Sequence, residues 1–307
     1  MVKSFAAALA AIALVAALGY ALRDRLFGGA PAVAPVAAAP RALADAGVSP
    51  DAAPVDRRTV VVDLHGTVEK QVGERWVAIG AGDRLLEQDT IRTGDGASAH
   101  LQTGDQLVEL GDRSEVTVGE ISASVADYML AEGRVTATTG ERGRAIRIET
   151  RGTDAVAESA SGRFDVASTG AGQVAVAAEH GDVQVSAHGT RVAVHAGEQT
   201  VVAAGATPAA PSKIPPSLFL KVSAAGGGRD PVAALHGQTA PGAVVSINGT
   251  RTMADDRGGF TSHVALAAGD NVIVVSVEDA TGRATQKVIK RSLDRSGPKV
   301  STEVDWR

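Results

Sequence analysis

The chain contains no cysteine, and only 3% of its 307 residues are aromatic. The first absence removes disulfides, thiolate chemistry and cysteine-based zinc or iron–sulfur sites. It leaves the compartment open, because an exported protein can do without disulfides. With so few aromatics the cores have to be built from Val, Ile, Leu and Ala, which bury less area per residue and give modest stability per domain. An excess of positive charge is lacking too. A net charge of −5 gives no pull toward a phosphate backbone. No basic stripe with interleaved aromatics occurs, so nucleic acid is not an expected partner. A Gly-x-Ser-x-Gly nucleophile elbow is also absent.

Residues 5–22, FAAALAAIALVAALGYAL, form a long uncharged apolar run, with Lys3 before and Arg23-Asp24-Arg25 after. Spanning the hydrocarbon core takes about 20 apolar residues, so this segment sits at the short limit. It is apolar all round, unlike the one-sided helix of a soluble domain. Residues 1–27 therefore read as an N-terminal membrane helix acting as signal anchor, or as a signal peptide cut near Ala17, Gly19 or Ala21. Arg23, Arg25 and Leu26-Phe27 resemble a boundary with water and favour the anchor. Lys3 and the α-amine balance Arg23 and Arg25, so charge does not set the orientation. Residues 28–57 carry Pro31, Pro35, Pro40, Pro50 and Pro54 among many alanines. Such a stretch buries too little to offset its ordering entropy and reads as a stiffened spacer.

From Thr59 onward strand signals dominate. Alternation is clear in Ala97-Ser98-Ala99-His100-Leu101-Gln102, in Gln106-Leu107-Val108-Glu109-Leu110 and in Ala145-Ile146-Arg147-Ile148-Glu149. Gly94-Asp95-Gly96, Gly104-Asp105, Gly111-Asp112 and Gly140-Glu141-Arg142-Gly143 punctuate these runs as turns. Only residues 121–132 leave room for a helical turn. Past Arg163, short strands at Phe164-Asp165-Val166, Val174-Ala175-Val176, Val183-Gln184-Val185, Val192-Ala193-Val194 and Thr200-Val201-Val202 recur at even spacing. This suggests an all-β sandwich or a solenoid-like stack over residues 58–205.

Residues 61 to about 199 resemble the FecR domain of bacterial envelope proteins. The resemblance rests on Gly66-Thr67-Val68, Trp76, Gly82-Asp83-Arg84-Leu85, Gln88-Asp89-Thr90-Ile91-Arg92-Thr93 and residues 97–101. It continues through Leu107-Val108-Glu109-Leu110, Ser114 and Leu130-Ala131-Glu132-Gly133-Arg134-Val135. Later come Gly162-Arg163-Phe164-Asp165-Val166, Gly181-Asp182-Val183-Gln184-Val185 and Ala196-Gly197-Glu198-Gln199. The family usually has Gly where Gln88 stands, and often Asp-Gly in place of Gly104-Asp105. The resemblance implies a periplasmic, β-rich binding and signalling module. In iron-transport regulators it relays receptor status to a sigma factor through a cytoplasmic segment. Only Met1 to Ser4 precede the apolar run here, so a sigma-factor-holding role is not expected.

After a Pro-rich break at residues 206–216, about seven short strands fill residues 217–293 and read as an immunoglobulin-like β-sandwich. The segment resembles bacterial Ig-like domains through Gly237, Pro241-Gly242-Ala243-Val244-Val245, Asp256-Arg257-Gly258-Gly259-Phe260 and Gly269-Asp270-Asn271-Val272-Ile273-Val274-Val275. That resemblance implies a spacer or adhesion module. Residues 294–307 form a polar tail whose Trp306 can dock on the domain or on a partner.

Chemistry-bearing residues are scattered. His180, His188 and His195 invite a metal reading, but each adjoins Gly or Ala at a strand end, where solvated histidines are common. Asp83, Asp89, Asp95 and Asp105 invite a glycosidase pair, yet all lie in or beside Gly-rich turns, where Asp bonds its own backbone. Asp255, Asp256 and Asp279 lack the acid spacing of a calcium loop. Trp76 reads as a core anchor of the first sheet, the competing reading being a sugar-stacking platform. No residue is assigned a catalytic, cofactor or metal role, and ligand-binding residues are left open. The expected protein is non-enzymatic, without cofactors, anchored in the inner membrane through residues 5–22, with its domains periplasmic, or secreted if the segment is cleaved. It would bind an envelope protein or cell-wall polysaccharide as a scaffold. The alternative is a transmembrane relay working with a partner membrane protein, and a third reading is a polysaccharide-active enzyme.

Overall fold

The computed structural model describes residues 58–295, so the expected membrane helix, the first spacer and most of the tail lie outside the described residues. Among the described residues every regular element is a strand, and no helix is long and apolar enough to cross a membrane. The first nine strands are β1 (Thr59–His65), β2 (Val68–Val72), β3 (Arg75–Ala78), β4 (Arg84–Leu85), β5 (Thr90–Thr93), β6 (Ser98–Thr103), β7 (Gln106–Leu110), β8 (Glu115–Ile121) and β9 (Val125–Thr138). Next come β10 (Ala145–Thr150), β11 (Val156–Ser159), β12 (Gly162–Ser168), β13 (Val174–Gly181), β14 (Val183–Ala187), β15 (Thr190–Val194), β16 (Glu198–Val202) and β17 (Ser212–Lys213). The last seven are β18 (Lys221–Ala225), β19 (Val232–Gln238), β20 (Val244–Ile247), β21 (Thr250–Met253), β22 (Gly259–Ala265), β23 (Gly269–Glu278) and β24 (Ala284–Leu293).

The first seventeen strands make two facing sheets that share one long strand. One sheet runs β4–β1–β6–β7–β9–β12–β13–β16–β17. The other runs β3–β2–β5–β8–β9–β10–β11–β14–β15, with β9 and β10 parallel. Residues 125–132 of β9 pair in the second sheet, and residues 133–138 pair in the first. Alternating side chains from both sheets (Leu101, Val108, Leu110 and Phe164 against Tyr128, Leu130, Ile146 and Ile148) interdigitate as one aliphatic core. A buried hydroxyl chain crosses it: Thr59 Oγ1 to Thr103 Oγ1 at 2.7 Å, and Thr103 Oγ1 to the Tyr128 hydroxyl at 2.8 Å.

Residues 121–132, where the sequence leaves room for a helical turn, hold no helix: β8 ends at Ile121 and β9 begins at Val125. Ala126, Tyr128 and Leu130 alternate into the core, and pairing on both sides of β9 overrides a locally ambiguous pattern.

The crossover of β9 turns at Gly133, which is buried at φ +98°. Ser114 clasps the strand there: its Oγ donates to the Arg134 carbonyl at 3.1 Å and accepts from the Arg134 amide at 3.0 Å. Gln88 has a strained backbone of a different kind. It stands at φ +72° in an exposed turn, a conformation that costs a side-chain-bearing residue roughly 1–2 kcal/mol. Gln88→Gly is expected to raise the stability of the protein by about 1 kcal/mol, seen as a higher urea midpoint at unchanged slope. An unchanged or lower midpoint contradicts this reading of the turn.

The last seven strands form a second sandwich of a three-stranded sheet, β18–β19–β22, on a four-stranded sheet, β21–β20–β23–β24. Leu235, Val245, Phe260, Ile273, Val275 and Val277 fill it.

Candidate functional site

The two sandwiches meet along a built seam. On the outward face of the first sheet, Ala167 of β12, Ala175 and Ala177 of β13 and Val201 of β16 are all buried. They cluster with Val244 of β20, Met253 of β21 and Ala280 of the β23–β24 turn, with Ile214 packed alongside. Small side chains let the backbones approach closely. A Cβ on Gly242 would lie 2.6 Å from that of Ala175, so larger residues at either position would force the domains apart.

Polar contacts fix the register of this apolar strip. Arg134 Nε donates to Glu278 Oε1 at 2.9 Å across the seam, and Arg134 Nη1 donates to Thr136 Oγ1 at 3.0 Å. Thr136 Oγ1 in turn donates to Asp165 Oδ1 at 2.5 Å. The Arg134 guanidinium lies against Gly282, where a Cβ would approach to 2.9 Å. Gln199 Nε2 reaches the Pro241 carbonyl at 3.3 Å, and Arg251 Nη1 reaches that of Arg113 at 3.4 Å. Half-exposed ion pairs contribute little on their own. Here the pair is part-buried and joined to a chain that ends on a carboxyl group.

Asp165 is 1% exposed, and its Oδ2 has no hydrogen-bond partner. Burial pushes its pKa from 3.8 up to about 7, with Glu179 adding to the rise. The Thr136 hydrogen bond, Arg134 and Arg163 pull in the other direction. Nearby on the same face, Arg163 bonds Glu179 at 2.8 Å and approaches Glu109 at 3.4 Å. At the other end of the seam a cleft of about 500 Å³ is lined by Arg92, Arg113, Glu115, Glu132 and Arg251. It carries both charge signs, and the buried Arg251 Nε has no partner.

The residues singled out from sequence are placed elsewhere and apart. Trp76 is not a core anchor: it is half-buried on β3, an edge strand, with the Arg92 guanidinium 4.1 Å over its ring. Edge position leaves the indole one covered face, and Glu69 holds Arg92 in place at 2.7 Å. Asp83 accepts from the Gly80 amide at 2.8 Å, and Asp89 from the Leu86 amide at 2.7 Å and from Lys70 at 2.6 Å. Asp95 pairs with Arg113 at 3.0 Å, and Asp105 accepts from the Arg142 amide at 3.2 Å. Asp83 and Asp89 serve their own turns, Asp89 and Asp95 a neighbouring cation, and Asp105 the backbone of the turn at residues 140–143.

His195 Nδ1 lies 3.0 Å from Asp182, which raises the imidazole pKa through that hydrogen bond, and His188 pairs with Asp154 at 3.5 Å. His180 is exposed at the end of β13. Among the described residues no three His, Asp or Glu side chains converge as a metal site. Asp255 caps the amides of Arg257 and Gly259, and Asp279 is buried and bonded by Arg283 at 2.6 Å. The sequence alone does not mark the seam: its alanines Ala167, Ala175 and Ala177 read as ordinary outward positions of β12 and β13.

Three comparisons bear on this arrangement. No curated protein matches the chain. Two crystal structures of a candidate anti-sigma factor from Parabacteroides distasonis ATCC 8503 align at 18% identity and a TM-score of 0.35. The alignment covers 40% of this chain and 59% of theirs, so the chain spans less than two thirds of those structures. A polysaccharide lyase aligns at 10% identity and a TM-score of 0.20, over 75% of this chain and 40% of its own. Overlaps this loose carry no weight for fold or function. The family described as "FecR protein" matches residues 89–184, spanning β9, its crossover at Gly133 and the sheet face that bears Asp165. Residues 89–184 therefore carry the FecR match.

Proposed function

We propose that this chain is a non-enzymatic binding module of the bacterial envelope, in which the FecR domain and an Ig-like domain act as one body. The observation that carries the reading is the seam. With Arg134 bonded to Glu278 and the alanine strip closed by Val244 and Met253, force or binding at one domain reaches the other without a flexible joint. Residues 5–22 would anchor the body in the inner membrane, and residues 28–57 would hold it out into the periplasm. The partner is an envelope protein or cell-wall polysaccharide. The FecR match favours the relay version of this function, with a partner membrane protein completing the signal path. A non-enzymatic role is supported by the engagement of Asp83 and Asp89 with their own turns and of Asp105 with the Arg142 amide.

The test is in-cell photo-crosslinking from the full-length chain, with the photoreactive residue at Leu86, which is 67% exposed. Capture of one discrete envelope protein is the expected result for a relay. Recovery with wall material alone would convert the reading to a wall contact. Cleavage of polysaccharide by the purified chain, lost in any of Asp83→Asn, Asp89→Asn or Asp105→Asn, would overturn it.

A further inference from the structure

The cleft at the far end of the seam takes its walls from both sandwiches. Glu69, Arg92, Arg113, Glu115 and Glu132 come from the first, and Arg251 on β21 reaches in from the second, beside Gly249. The rest of its lining is Thr93, Gly94 and Ser114, so no aliphatic or aromatic side chain faces the space. Small-molecule sites are usually apolar with a few polar groups, so a wholly polar cleft of about 500 Å³ suits only a strongly polar occupant. Across β2, β5, β8 and β9, Glu69, Arg92, Glu115 and Glu132 are successive direct cross-strand partners. Their signs run minus, plus, minus, minus, and like charges directly opposite repel. Arg92 is neutralised by Glu69 at 2.7 Å, Arg113 by Asp95 at 3.0 Å, and Glu115 by Arg151 at 3.0 Å. Among the described residues Glu132 has no cation and Arg251 has no carboxylate. The Arg251 guanidinium bonds only the Arg113 carbonyl, from Nη1 at 3.4 Å, and its buried Nε has no partner.

We infer that this cleft binds a group carrying a carboxylate and an ammonium on one carbon, the zwitterionic end of an α-amino acid. The charges left over decide the class. One cation and one anion line the same space without a partner, so a carboxylate on Arg251 and an ammonium on Glu132 leave the site neutral. The ammonium also breaks the like-charge step between Glu115 and Glu132. A phosphate group would bring up to two negative charges against three carboxylates and one free guanidinium. A neutral sugar ring would find no apolar wall to lie on. A lone carboxylate or a lone amine satisfies one wall and is repelled by the other. Zwitterionic ends of this kind occur on free amino acids and on the diamino acids of cell-wall peptides. The inference rests on the one-body reading, because Arg251 closes the cleft only while the seam is intact.

Calorimetric titration of the full-length protein with meso-diaminopimelate and with L-alanine tests it, with propionate and propylamine as probes of one charge each. Both zwitterions are expected to bind about tenfold or more tightly than either single-charge probe. Arg251→Gln and Glu132→Gln are each expected to weaken that binding by about tenfold or more. Glu132 is exposed, so its variant should keep the native unfolding midpoint and report on the site alone. No binding of either zwitterion overturns the inference, as does equal affinity for propionate or affinity unchanged in either variant. Tighter binding of diaminopimelate than of alanine supports it with a wall peptide as the source, and equal affinities support it with free amino acids. Opening the seam with Arg134→Ala and Ala175→Glu is expected to abolish binding, and binding that survives overturns the site. A chain that binds neither zwitterion while its seam stays closed strikes the site and leaves the one-body reading standing.

Discussion

Replacing Asp165 with asparagine is expected to flatten the dependence of stability on pH between about 4 and 7. In the folded protein burial lifts the carboxyl from 3.8 to about 7. Between those values the native state keeps a proton that the unfolded chain has released. Stability from this group is therefore complete below the unfolded value, declines as pH rises, and is lost above about 7. A difference of about three pKa units corresponds to about 4 kcal/mol. The carboxamide of Asp165→Asn keeps an acceptor for Thr136 but leaves an amide nitrogen where Oδ2 has no partner, at a cost of about 1–3 kcal/mol. At pH 8 the variant is expected to be more stable by roughly 1–3 kcal/mol, the difference between these two terms. Urea midpoints for both proteins from pH 4 to 8 check this. His195 and Asp127 are also raised and act in the same direction, so the difference between the two proteins isolates Asp165. Parallel curves would contradict the account.

Gly133→Ala is the second large effect. A Cβ there would fall 2.2 Å from Ser114 Oγ and 2.4 Å from its Cα, and φ is +98°. Backbone strain of about 1–3 kcal/mol adds to overpacking of similar size, so a loss of about 3–5 kcal/mol is expected. That is a large part of the roughly 5–15 kcal/mol typical of a folded protein. Ser114→Gly is not expected to rescue it, because the Ser114 Cα stays in the way and the clasp on Arg134 is lost. Thermal unfolding of the single and double variants tests both statements. A near-native midpoint for Gly133→Ala would show that β9 can cross between the sheets without this corner.

Much of the fold is legible because strand burial is written in period two. Ala99 and Leu101, Val108 and Leu110, and Ile146 and Ile148 alternate onto one face in the sequence and form the core in the structure. Gly133 and Ser114 stand out only as residues of the resemblance; the crossover they make involves strands far apart in sequence. Gln88 is a departure from the family's glycine, and its positive φ gives that departure a physical meaning. Asp165 is illegible for a different reason. Within Phe164-Asp165-Val166 it reads as the solvent side of a strand, and it does point away from the core. What buries it is a second layer laid on the outward face, and alternation within one strand carries no information about such a layer. The same holds for Ala167, Ala175 and Ala177. For Trp76, size alone suggests the core, whereas its strand is at an edge.

If the FecR domain and the second sandwich move as one body, the distance between them must be fixed, and that distance can be measured. The chain has no cysteine, so Val77→Cys on β3 and Thr261→Cys on β22, both exposed, give one spin-label pair across the seam. Pulsed electron paramagnetic resonance should return a single narrow distance distribution that broadens when Arg134→Ala and Ala175→Glu open the seam. A broad distribution in the chain with its seam intact would contradict the one-body account, because the two sandwiches would then be joined by a loose tether.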